Sequence, residues 1–175
     1  MKTFLTTTIC LMAVLTVGAQ NTSADKARVE KIRKMYADAK ENIEYRKKAE
    51  LPPDDLVATS NYMAAGAGPI TDTTHYFYSG DWDEEASTIL YQPYFITRSY
   101  NVGATKYYQE FLFDDDDLAF FYMKGENEEV RYYYGKTGLA HESLKGEERL
   151  MDDAFAIRLA NDLKSAFNLM MNRNY

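Results

Sequence analysis

Hydrophobic residues along the chain follow two different periods, one helical and one strand-like, and each change of period marks a change of element. From Asn21 to Glu50, Val29, Ile32, Tyr36, Ala39 and Ile43 recur at spacings of three and four. That spacing places them on one stripe of a helix. Lys31, Arg33, Lys34, Asp38, Lys40, Glu41 and Glu44 fall between them and suit solvent. Ser23 or Thr22 can cap the start, and Pro52-Pro53 stops the element, because proline lacks an N–H and disfavours helical geometry before it.

From Asp54 to Pro69 no period is visible, and Ala64-Ala65-Gly66-Ala67-Gly68-Pro69 reads as a surface loop. A strand-like pattern follows. Thr73–Ser79, Thr88–Asn101, Thr105–Phe113, Leu118–Lys124, Glu129–Tyr134 and Leu139–Leu144 are rich in Tyr, Phe, Ile, Val and Thr. Turn-forming groups separate them: Gly80-Asp81, Val102-Gly103, Asp114–Asp117, Gly125-Glu126-Asn127 and Lys136-Thr137-Gly138. Such short connections mean antiparallel hairpins, since parallel pairs need long crossovers. Pro93 makes its stretch an edge strand, bulged, or broken there. After Gly146 the helical period returns with Phe155, Leu159, Leu163, Ala166 or Phe167, and Met170 on one face. Asp152 and Asp153 suit its positive end and Arg173 its negative end.

The expected architecture is therefore α+β: an N-terminal amphipathic helix, an antiparallel meander of four to six strands, and a C-terminal helix. One or both helices cover one face of the sheet. Residues 20–175 form this single domain, and residues 1–19 read differently. Lys2 is followed by an uncharged, mostly apolar run from Phe4 to Val17, and Val17 and Ala19 precede Gln20 as small residues precede a signal-peptidase cut. The run is shorter than the roughly 20 residues a membrane span needs. The expectation is an exported protein, periplasmic or secreted, cleaved between Ala19 and Gln20. Cys10 lies mid-run, where a lipid-attachment cysteine does not fit.

Cys10 is the only cysteine, so the cleaved chain can form no disulfide and no thiolate metal site. Its roughly 155 residues are enough for stability through a core alone. Lys and Arg total 20 against 27 Asp and Glu, and loss of Lys2 leaves 19 against 27. An acidic chain without a basic stripe is a poor nucleic-acid binder, because phosphate contacts supply most of that affinity. The mature chain has no second apolar stretch of spanning length.

Catalytic patterns are weak. The four aspartates Asp114–Asp117 lack the spaced carboxylates, glycine and distal Glu of a calcium loop, and read as a solvated hairpin turn. His75 and His141 are the only histidines, with no nucleophile elbow and no second His beside His141-Glu142 to make a zinc helix. No cofactor is implied. Asp81, Asp83, Glu84 and Glu85 surround the sole tryptophan, Trp82, which keeps a carboxylate-dependent hydrolase open as an alternative.

Large aromatics alternate onto both faces of the strands. With the helices on one face, the other would present some of Tyr108, Glu110, Phe121, Arg131, Tyr133 and Glu142. Tyrosine rings beside carboxylates suit a glycan, peptide or protein ligand, and large exposed aromatic patches mark interfaces. The leading expectation is thus a non-enzymatic binding module using Tyr108, Glu110, Arg131 and Tyr133, or Trp82 in its loop. Two alternatives stand beside it: a curved sheet that buries both faces, with tyrosine hydroxyls reaching the rim, and a homodimer through the exposed face. The Gln-Glu-Phe-Leu-Phe and Arg-Tyr-Tyr-Tyr strands between two helices resemble small exported proteins of gram-negative bacteria, and the helix-plus-sheet layout is similar to cystatin-like folds. The Gln-x-Val-x-Gly motif is absent, so the latter resemblance implies no protease inhibition.

Overall fold

A computed structural model describes residues 23–49, 55–85, 87–146 and 150–172. The expected signal segment 1–19 with its Ala19–Gln20 cut lies outside the described residues, as do Thr22, Pro52-Pro53 and Arg173. Helix α1 spans Ser23–Lys48 and helix α2 spans Asp153–Met171. Between them lie β1 (Asp55–Ala64), β2 (Gly68–Asp83), β3 (Thr88–Val102), β4 (Thr105–Asp114), β5 (Asp117–Lys124), β6 (Glu129–Gly135) and β7 (Gly138–Lys145). All seven form one antiparallel sheet in chain order. The protein is α+β.

The sheet has seven strands rather than four to six. The stretch expected as a loop holds β1 and the beginning of β2, joined by a tight turn in which Gly66 and Gly68 adopt φ of +80° and +77°. Those values are open to glycine at no steric cost. β1 escaped the period-two test because it is an edge strand, exposed on both sides along most of its length, so nothing forces its residues to alternate. Pro93 sits at a bulge: Phe77 pairs with Phe95 and Tyr78 with Pro93, leaving Tyr94 as the extra residue. A bulge accommodates the missing N–H in what is an interior strand.

The two helices lie on opposite faces, so the expectation that one or both cover a single face and leave the other free of a helix is corrected. Val29, Ile32, Ala39 and Ile43 of α1 pack on Phe95, Leu112, Phe120 and Tyr133. Ala156, Ala160 and Phe167 of α2 pack on the other side, against Tyr76, Phe111, Phe121 and Tyr132 among others. This is why aromatics recur front and back: each face has its own helix to fill. Alanine at two consecutive turns of α2 allows close approach, and Phe167 inserts between Tyr76 and Tyr78, each 5.5 Å away between ring centroids. Asp152 caps α2 by accepting from the Phe155 N–H at 2.6 Å.

The aspartate cluster clamps both helices to one hairpin. Asp114 accepts from Arg28 and Lys31 of α1, and Asp116 accepts from Lys164 of α2 at 2.6 Å. Asp115 at φ +57° makes the turn itself. Among the described residues no group of three His, Cys, Asp or Glu side chains could hold a metal ion, and no helix is long and apolar enough to cross a membrane.

Candidate functional site

Strand register decides which polar side chains meet on the α1 face. Ser99 pairs with Tyr108 and Tyr108 with Lys124; one step along, Glu110 pairs with Tyr122 and Tyr122 with Arg131. Tyr133 pairs with Phe120 one step further. Tyr108, Glu110, Arg131 and Tyr133 therefore share a face, as the alternation within each strand suggests. Phe121 and Glu142 do not join them: Phe121 lies in the α2-side core and Glu142 is paired with Tyr132, also on that side. Alternation within a strand is readable from sequence, but the offset between strands is set by turns and by bulges at Leu112/Phe113 and Tyr133/Tyr134. Trp82 is remote from this group. It stands 63% exposed near the end of the β2–β3 hairpin, paired with Ile89, among Asp81, Asp83 and Glu84.

The face is crossed by α1, and the helix supplies the partners that organise it. Glu110 is only 3% exposed. Its Oε2 accepts from the Tyr36 hydroxyl at 2.7 Å, and its Oε1 accepts from the Tyr108 hydroxyl at 2.8 Å and from Lys40 Nζ at 3.0 Å. A buried carboxylate needs this degree of pairing to be tolerated. Burial, together with the neighbouring Glu110 charge, pushes the Tyr36 and Tyr108 phenols far above their ordinary range, so both remain donors. Glu110 is thereby a positioning group beneath the surface. Tyr133 is buried under Arg33, whose guanidinium lies 5.7 Å from the ring centroid.

Beyond the helix the face opens into two adjoining concavities. A cavity of about 340 Å³ is lined by Arg33, Tyr36, Phe120, Tyr122, Arg131 and Tyr133. Arg131 lies over the Tyr122 ring at 4.9 Å and is held by Glu129 at 3.0 Å. A broader groove of about 790 Å³ has hydroxyls from Thr71, Thr73 and Ser99, with Tyr108 and Lys124 on its other side. The Tyr108 and Tyr122 rings meet edge-on at 6.5 Å and join the two. The helix residues Arg33, Tyr36 and Lys40 were absent from the sequence-derived set. A signal for Tyr36 existed: a hydroxyl on an otherwise apolar helix stripe must find a buried acceptor.

Chemically, the arrangement offers aromatic faces, hydroxyls and two guanidinium groups. His75 stands apart from it, 3.9 Å from Asp55 on β1, while His141 borders it, against Tyr133 at 5.7 Å between rings. Searches against family models, curated proteins and solved structures return no match to this chain.

Proposed function

We propose that the chain is a non-enzymatic binding module, exported after loss of residues 1–19, whose α1-side groove takes an acidic oligosaccharide. The observation that carries the reading is the pair of guanidinium groups, Arg33 from α1 and Arg131 from β6, lining one cavity with three tyrosines in a chain of net charge −7. Guanidinium groups match carboxylates in a planar fork, and a guanidinium stacked on a ring presents its edge for bonding. The neighbouring groove of Thr71, Thr73, Ser99 and Tyr108 supplies hydroxyls and a ring face, which suits a polyhydroxylated chain better than an apolar ligand.

Titration calorimetry with uronic-acid oligosaccharides and their neutral counterparts tests this. Binding of the acidic series, weakened at least tenfold by Arg131→Ala and by Tyr108→Ala in folded protein, supports the assignment. Equal affinity for neutral sugars, or binding that both variants leave unchanged, sinks it.

A further inference from the structure

The two edges of the sheet are built differently. β7 carries His141, Glu142 and Lys145, its pairing with β6 is interrupted at Tyr133/Tyr134, and the first turns of α1 lie beside it, with Asp25, Lys26 and His141 around one small cavity. Charges, irregular pairing and a covering element are the devices that keep an edge from pairing with another chain. Among the described residues no element covers the β1 edge, and its pairing is not interrupted. Its ten residues pair with β2 in unbroken register, it contains no proline, and Asp55 at its first position is its only charge. Val57, Tyr62 and Met63 are 49, 47 and 76% exposed.

We propose that β1 is a docking edge for β1 of a second copy of this chain, forming an antiparallel dimer with one continuous sheet. An antiparallel pair of identical strands has its twofold axis perpendicular to the sheet, so residues pair with a constant sum of positions. With Ser60 on the axis, Val57 faces Met63 of the second copy on the α1 side, and Ala58 faces Tyr62 on the α2 side. Each exposed apolar side chain of β1 then meets an apolar partner, and Thr59 meets Asn61. The two Asp55 carboxylates end up about 33 Å apart, at opposite ends of the interface. A strand whose exposed apolar residues pair among themselves in one register fits its own copy, because its one charge, Asp55, lies at the end of the interface and no charge within it calls for a complementary partner.

Sedimentation and light scattering over a wide concentration range test the proposal on the chain carrying Cys10→Ser. The expected result is a dimer that Ser60→Lys disperses, raising its dissociation constant by more than about tenfold, since the two ammonium groups oppose each other at the axis. Far-UV circular dichroism checks that this exposed-edge variant keeps its fold. Ser60→Cys is expected to yield a disulfide-linked dimer on air oxidation, because directly opposed residues have Cα atoms about 4.5–5.5 Å apart, within disulfide reach. Asn61→Cys is expected to cross-link far more slowly. A monomer at all concentrations overturns the proposal, as does a dimer unaffected by Ser60→Lys. A chain that stays monomeric while taking up an added extended peptide at β1 overturns it too.

Discussion

The Tyr36 hydroxyl donates to Glu110 at 2.7 Å, joining α1 to β4 across 74 positions of the chain. Because Glu110 also accepts from Tyr108 and Lys40, its removal takes the acceptor from two phenols at once. A buried polar group left unsatisfied costs about 1–3 kcal/mol. Glu110→Ala is therefore expected to cost roughly 2–4 kcal/mol in urea unfolding, and Tyr36→Phe about 1 kcal/mol. Similar costs for the two variants would contradict Glu110 as the hub.

Phe167 is the largest fully buried side chain of α2, set between Tyr76 and Tyr78. Truncating such a ring leaves a cavity that close packing cannot refill, with a typical penalty of about 3–5 kcal/mol. Phe167→Ala is expected to lower stability by that amount in calorimetry, whereas the exposed Leu169→Ala is expected to stay within about 0.5 kcal/mol.

Two pH limits follow from opposite shifts. Lys31 and Arg28 hold the Asp114 carboxyl below its usual range, so its contribution is present above the unfolded value near pH 4 and is lost as pH falls through the folded one. Burial raises the Tyr36, Tyr108 and Tyr134 phenols, so their contribution is full below about pH 10 and is lost as pH rises beyond it. Asp114→Asn is expected to flatten the acid limb of the stability curve. On the alkaline limb, tyrosinate absorbance from these residues is expected to appear together with unfolding; early, independent ionisation would show that they are not shielded.

The proposed export predicts where the N-terminus lies. Protein recovered from outside the cytoplasm of an expressing gram-negative host is expected to begin at Gln20, read by intact mass. Recovery of the full-length chain from that fraction would contradict cleavage.

The helices and six of the strands were legible because burial imposes period on them: Val29, Ile32, Ala39 and Ile43 all face the sheet, and Phe111 and Phe113 alternate with Leu112. β1 was not, since an exposed edge imposes no period. The sharing of Tyr108, Glu110, Arg131 and Tyr133 by one face was partly visible in alternation. That Glu110 lies under α1 was not, because which helix covers which face depends on tertiary packing over separations such as the 106 positions between Arg28 and Tyr134. The same gap misassigned Phe121 and Glu142, whose strands are offset by bulges no local pattern announces.

Because every strand neighbours only the ones before and after it in sequence, a chain emerging from one end always has its next pairing partner already at hand. Sheet assembly then proceeds hairpin by hairpin, with the loop-closure cost of each step kept small. The late arrival is α1: made first, it must wait through β3, β4 and β5 to β6 before its apolar stripe is fully covered. A growing chain of this design carries the apolar stripe of α1 incompletely covered through much of its synthesis, and that interval, rather than strand matching, is where a chaperone has the most to protect.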